Sequence, residues 1–566
     1  MEIQGNIVDI ENRRVYPGTV VIRGKKITSI IERTPLNPFD LTKNKSLPFI
    51  LPGFIDSHIH LEMTNLMPSE YARAALSQGI VACLADCHDL ANVAGREGIL
   101  ELIKNSKKIP FNFYFSAPST LVKDLYTYED IQKLLEMEEV THLGEIQNYP
   151  DVILHEKYIE ELLKLAKNAG KPVDGCSPGV SGENLEEYVK SGISTDHQCI
   201  SQENVLEKIK KGMKVALACS NLDLIRSCAA LFFENASFMM FCGQSMYAPT
   251  VSSSYINCAV SNAVKEGGDL FGVLEAACLT PVRHYKLNCG TLHSGDDADF
   301  ILCESLEKFN VIATFIKGDC VYMRPQRKTQ KDEYSFRVKN FASIKPKIIY
   351  DFVSKHVSEK DLEVSSQNKN SKSSAWELHP SINTINICDG EMTTVRTVMY
   401  LEEKDGKFES DIEKDCIKLV LYDRMGKNLK PALAFVHGFG IKKGAAAMSI
   451  SHDSHNIIAV GVDDKDIALA INRVIDMRGG IALSVDCKIK AELPFSIAGL
   501  MADLYLTEIN RKYYLLKKCF TGEMGCNLTY PVYTLSYLAS TQIPSLKLSL
   551  NGLVNVVEQE EIPLVQ

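Results

Sequence analysis

Two histidines one residue apart, His58 and His60, end the apolar run LPGFIDSHIHLE at residues 51–62. On a strand the side-chain period of two sends both imidazoles to one face, where they can grip one metal ion. A second histidine-rich segment, SHDSHN at 451–456, carries His452, Asp453 and His455. A helix there would put both histidines on one face. A loop there could instead approach the mouth of a neighbouring barrel and complete its pocket, or simply pack within its own domain. The chain has 17 cysteines but no C-x-x-C pair, and it lacks the H-x-E with P-C-x-x-C signature of zinc nucleobase deaminases. Most of these thiols read as small buried hydrophobes. The glycine-rich GFGIKK (438–443) lacks the G-x-x-x-x-G-K-[ST] spacing, so it is read as turns and not as a phosphate loop.

The His-x-His pair needs a strand end to present it. Short apolar runs, GIVACLADC (79–87), FNFYFSA (111–117) and KVALACS (214–220), alternate with helical segments. The helical ones are PSEYARAALSQ (68–78), YEDIQKLLEMEE (128–139), HEKYIEELLKLAKNAG (155–170) and GENLEEYVKSG (182–192). Alternation of this kind over some 230 residues predicts a parallel α/β domain, and a (β/α)8-type barrel fits the length. In such a barrel, catalytic groups sit at the C-terminal ends of the strands. Residues 1–50 instead show short alternating runs (NIVDI, GTVVIRG, KITSII), and similar runs return around 288–325. The two flanks are expected to pair as one small β domain.

The expected organisation is therefore a composite β domain from 1–50 plus 286–345 and a barrel over 51–285. A linker or exposed loop over 346–379 follows, then a C-terminal α/β domain over 380–566. Residues 326–345 are basic and polar, and EVSSQNKNSKSSA (363–375) is the best linker candidate. The 566 residues, 45% apolar and 23% charged, have the composition of a globular protein and exclude wholesale disorder. With 62 basic against 71 acidic residues, the net charge of −9 argues against a nucleic-acid partner held by phosphate contacts. The N-terminus has no basic segment followed by an apolar one, and no stretch is apolar enough to span a bilayer. A cytoplasmic chain with reduced thiols and no membrane partner is expected. Its oligomeric state is left open, with a homo-oligomer compatible.

PGFIDSHIH (52–60) resembles the opening motif of the amidohydrolase superfamily, and the resemblance continues. MTNLMPSEYARAALSQGIVACLADCHDLANVAGREGI (63–99) is similar, nearly position by position, to the adenine deaminase branch. GEIQNYPDVI (144–153), DGCSPGVSGENLEEYVKSGISTDHQC (174–199), GFGIKKGAAAMSISHDSHNIIAVG (438–461) and AELPFSIAGLMAD (491–503) look like further elements of that branch. The resemblance implies an amidohydrolase barrel with the composite β domain and a C-terminal domain of adenine deaminase type. It implies an enzyme that hydrolyses adenine, a free nucleobase, to hypoxanthine and ammonia through a metal-activated hydroxide. The implied cofactor is a divalent metal, manganese first, with Fe²⁺ or Zn²⁺ as alternatives. Glu145 matches the carboxylate that bridges two ions in the family, and such an anion offsets the repulsion between cations. His58, His60 and His197 match metal-binding histidines. His88 matches a further family histidine, with Asp86 and Asp89 placed to orient it.

The sequence also departs from the family. Cys176 stands where the branch has a metal-binding histidine, and a thiolate would suit zinc or iron better than Mn²⁺. CGQS (242–245) replaces a Cys-Thr-Asp-Asp run, so Gly243, Gln244 and Ser245 offer no general base where the family has its proton-shuttling aspartate. Gln198 replaces an acidic neighbour of the histidine, and KVALACS lacks the family's Arg-Glu pair. A substitute carboxylate would have to come from Asp453, Asp86 or Asp89. Two alternatives follow from these losses: a non-enzymatic binding or regulatory paralogue, or an amide or cyclic-amide hydrolase with an altered metal site.

Overall fold

In the computed structural model, the described residues are 1–33, 47–120, 125–325, 346–348, 350–366, 381–427 and 430–566. The basic stretch 326–345 lies outside them, as does all of the Ser/Asn/Lys-rich segment beyond residue 366. Two compact units hold Met1–Ala91 with Gly95–Lys347, and Asn92–Ala94 with Ile348–Gln566.

The first unit opens with β1 (Glu2–Asp9), β2 (Arg14–Arg23), β3 (Lys26–Glu32) and β4 (Phe49–Pro52). Alternate residues such as Val20 and Ile22, with Ile7 and Ile27, are buried, as a sheet with one covered face requires. The barrel follows: β5 (Phe54–His60), β6 (Ile80–Asp86), β7 (Asn112–Ala117), β8 (Val140–Ile146), β9 (Val173–Gly175), β10 (Thr195–Asp196), β11 (Lys214–Ala218) and β12 (Met239–Cys242). All eight run parallel in sequence order. Every residue of β5 and β6 is buried, the pattern of strands covered on both faces. An isolated parallel bridge between Ile59 and Gln244 joins the two edges and closes the barrel. There the Gln244 N–H donates to the His58 carbonyl at 2.8 Å, and the His60 N–H donates to the Gln244 carbonyl at 3.1 Å.

The intervening helices form where the periodicity predicts them: Pro68–Ser77, Tyr128–Leu135, Lys157–Ala169 and Gly182–Lys190. Thr127 and Asp130 close a reciprocal capping box on the second of these. The third buries Ile159, Leu162 and Ala166 and stops at Gly170, whose φ of 65° few other residues adopt cheaply. After the barrel, β13 (Phe300–Cys303), β14 (Val311–Ile316) and β15 (Asp319–Met323) return to the first sheet. The order is β15-β14-β13-β4-β1-β2-β3, so the small β domain is indeed composite, with β13 antiparallel to β4.

The second unit is built on an eight-stranded sheet. Its spatial order is 394–400, 381–387, 432–437, 416–422, 457–461, 445–448, 480–485 and 488–494. The pair 381–387 with 432–437 is parallel and the others are antiparallel. The helix Asp464–Asp476, capped by the Asp463 side chain, buries Ile467, Ala470, Ile471 and Val474 in the core with Val420, Ala447 and Ala459. Among the described residues, no helix is long and apolar enough to cross a membrane.

Candidate metal centre

Four donors converge at the C-terminal end of the barrel. His58 and His60 bring their Nε2 atoms within 3.3 Å of each other, as same-face residues of one strand must. Glu145, in β8, lies 3.9 Å from the His58 Nε2 and 3.7 Å from the His60 Nε2. His197, just after β10, brings its Nε2 to 2.9 Å from Glu145 Oε2, and its ring stacks on His58 with centroids 4.0 Å apart. The ligand atoms of all four lie within 4.8 Å of one another, and all four residues are buried. Ligands about 2.0–2.2 Å from a common centre have mutual separations of this size.

Two of these donors sit where strand pairing slips. The β5/β6 register shifts between Asp56 and Ile59, and the β8/β9 register shifts between Leu143 and Ile146. Such irregularities re-aim side chains next to functional sites. At Gly144 an added Cβ would lie 2.9 Å from Asp86 Oδ2 and 3.0 Å from the Ala117 carbonyl. Glycine there lets Asp86 reach the Glu145 backbone, whose N–H donates to Asp86 Oδ2 at 3.1 Å.

The electrostatics suit a cation. Burial pushes the His58 pKa well down, with His197 and His60 adding to the effect, so its ring is neutral. Burial alone would raise the Glu145 carboxyl, but the neighbouring histidines, His197 above all, outweigh it and hold Glu145 ionised. Conversely, Glu145 overcomes burial at His197 and raises it. The proton these two share is what a bound ion would displace. Neutral imidazoles with an ionised carboxylate are the ligand states that divalent metals require. Buried His58 Nδ1 makes no hydrogen bond, a polar atom left without a partner beside the donor set. The donor set therefore fits a divalent ion.

His88 begins the helix His88–Ser106 and adjoins this group, with His60, Asp86 and His88 forming a second convergent set. Its Nδ1 is 3.2 Å from Asp86 Oδ1, and its Nε2 is 3.3 Å from Asp89 Oδ1. Burial opposes its charge, but Asp89 and Asp86 prevail and raise it well above the ordinary histidine value. Gln147, missed in the sequence, links the two sets. Its amide donates to Glu145 Oε1 at 2.8 Å and lies 3.3 Å from His88 Nε2. Glu62, two residues past the His-x-His pair, was also missed. Its Oε1 accepts the Leu90 N–H, and burial, with Asp89, lifts its carboxyl to about 8.

Within the barrel, Cys176, Gln198 and Gln244 are not members of these two groups. Cys176 is half-buried, and its thiol is not part of either convergent group; its N–H donates to the Tyr188 hydroxyl at 3.0 Å. Gln198 gives its backbone N–H to Asp196 Oδ1. Gln244 closes the barrel through its backbone at φ 55°, and the strand end carries no carboxylate. In the second unit, 451–456 forms a turn and not a helix, with Asp453 at φ 62° and His455 at φ 50°. His452 packs its ring on Tyr537, and the Ser540 hydroxyl donates to the Asp453 carboxylate.

A parallel barrel with a histidine and glutamate set at its strand ends defines an amidohydrolase-type hydrolase. The amidohydrolase family pattern matches residues 49–230 and 189–321, and the adenine deaminase C-terminal domain matches 391–560. An adenine deaminase of Methanosarcina acetivorans is 33% identical over 99% of this chain and 98% of its own length. One of Parabacteroides distasonis is 36% identical over 98% of this chain and 96% of its own. Among solved structures, a β-aspartyl dipeptidase of Fervidobacterium islandicum matches at a TM-score of 0.45 and 18% identity, covering 60% of this chain and all of that one. The chain belongs to the adenine deaminase family.

Proposed function

We propose that the chain hydrolyses adenine to hypoxanthine and ammonia. The observation that carries this reading is the convergence of His58, His60, Glu145 and His197 at one buried point of a barrel from this family. These four residues would hold a divalent ion. Manganese is the ion the resemblance favours, with iron or zinc next, and with the Cys176 thiol outside the group the donors suit all three. A metal there supplies Lewis-acid activation of water near neutral pH.

The chain's own residues do the rest. In the overall reaction water provides the new C–O bond, the bond to the exocyclic amine breaks, and both protons of water pass to the products. His88, charged between Asp86 and Asp89, is placed to hold or release a proton at Nε2. Gln147 donates its amide to Glu145 Oε1 and faces His88 Nε2 at 3.3 Å, where the amide can donate only once that nitrogen has released its proton. Asp453 accepts the Ser540 hydroxyl at Oδ2 alone, and its Oδ1 makes no hydrogen bond, so it keeps a place as a candidate proton carrier. With free adenine as substrate, the enzyme would act in cytoplasmic purine-base turnover.

The test is to purify the chain, measure metal per chain, and assay ammonia release from adenine with Mn²⁺, Fe²⁺ or Zn²⁺ added. About one or more ions per chain with metal-dependent ammonia release is expected. Metal retention without ammonia under any ion would replace the enzymatic reading with a binding role.

A further inference from the structure

Three aspartates at the strand ends repeat one arrangement. Asp56 Oδ1 accepts the His58 N–H at 3.1 Å, Asp86 Oδ1 accepts the His88 N–H at 3.1 Å, and Asp196 Oδ1 accepts the Gln198 N–H at 2.7 Å. Each is a side-chain turn over two residues, wrapped around or onto a site histidine. Each carboxylate also staples its strand end to another. Asp56 accepts the Gly243 N–H after β12, Asp86 the Glu145 N–H in β8, and Asp196 the Ser177 N–H after β9 at 2.8 Å.

The staple at Asp196 differs in its counter-charge. Lys208 places Nζ 3.0 Å from Asp196 Oδ1, and neither side chain has exposed surface. The same ammonium donates to the Ser177 carbonyl at 2.9 Å, and the Ser177 hydroxyl donates to Asp196 Oδ2. Asp196 thus gathers four donors on two oxygens, and only a carboxylate has the acceptor capacity for all of them. A buried ion pair is weak evidence for stability, since desolvation offsets its attraction. Its place beside His197 supplies another reason for it.

We propose that the Asp196–Lys208 pair is a positioning device that fixes the His197 turn, and so the imidazole, toward Glu145. Lys208 acts through Asp196, and Asp196 acts through the backbone on either side of His197. The inference rests on the reading of His58, His60, Glu145 and His197 as a metal site. Outer partners of this kind typically change metal affinity by about 10- to 100-fold when removed.

The test compares wild type with K208M, D196N and the double variant D196N/K208M, titrating each full-length chain with Zn²⁺ and recording the visible absorption of its Co²⁺ form. Each variant is expected to bind Zn²⁺ about 10- to 100-fold more weakly, with altered Co²⁺ bands. The double variant leaves no unpaired buried charge, so a merely structural pair predicts wild-type affinity and bands in it. That result would overturn the inference and leave the metal site standing. Failure of the wild type itself to bind Zn²⁺ or Co²⁺ would overturn the proposed function and the inference together. Should the charge variants not fold, S177A removes one donor to Asp196 and is expected to shift the Co²⁺ bands; unchanged bands would overturn the inference.

Discussion

At Gln244, backbone and side chain have separate duties. The backbone closes the barrel against His58 and His60, at a φ of 55° that aspartate tolerates better than glutamine. Gln244→Asp is therefore expected to fold, and to put a carboxylate where the sequence resemblance implies a proton-shuttling aspartate. General-base catalysis contributes roughly 10²–10⁴-fold, so ammonia release from adenine with Mn²⁺ should rise by at least about 10². An unchanged rate would place proton transfer wholly on the His88 side of the site. Residue identities made much of this centre legible: the His-x-His spacing and the family motifs pointed to His58, His60, Glu145, His197 and His88, which the fold brings together. Cys176 was expected on the strength of alignment alone. Position in a motif does not fix where a thiol points, and this one stays outside the donor group. Gln147, Glu62 and Lys208 carried no spacing signal, because their roles depend on contacts with segments distant in sequence. Asp86 was expected beside His88, and the same signal, an Asp two residues before His58 (Asp56) and directly before His197 (Asp196), was equally readable there and drew no expectation.

Among the elements, the long apolar and helical runs were plain from period alone, and the structure forms them within a few residues of expectation. Strands β9 and β10 span only Val173–Gly175 and Thr195–Asp196, too short for any alternation to register. Slips of register were equally invisible, since a bulge is a property of two strands and not of one sequence. The β8 slip depends on close approach at Gly144. Gly144→Ala would force a methyl against Asp86 and the Ala117 carbonyl, at 2.9 and 3.0 Å. Overpacking of this kind costs about 1–3 kcal/mol, which should appear as a lowered urea midpoint with unchanged m-value. Because Asp86 holds the Glu145 backbone, the same variant should bind Zn²⁺ more weakly than wild type. Equal affinity would show that Glu145 is held by other means.

At the scale of the whole molecule, stability should carry a pH signature from the second unit. Lys547 has no exposed surface; its ammonium donates to the Met392 and Tyr537 carbonyls, and burial lowers its pKa to about 7 despite the nearby Asp453. The unfolded chain holds that proton up to about pH 10.4. Between about pH 7 and 10 the unfolded state therefore binds more protons, and unfolding free energy contributed by this group rises with pH, by a few kcal/mol in all. Denaturant unfolding of wild type and Lys547→Met across that range should differ in slope, with the variant flatter. Parallel slopes would mean that the lysine titrates normally. The composite sheet has another consequence, in time. β4 pairs with β13 through Phe49 and Cys303, which are 303 − 49 = 254 residues apart. At roughly 5–20 residues per second, a ribosome takes about 13–50 s to make that stretch. Through that interval one edge of β4 has no partner strand, so the nascent chain carries an open, apolar sheet edge until after its whole barrel has been made.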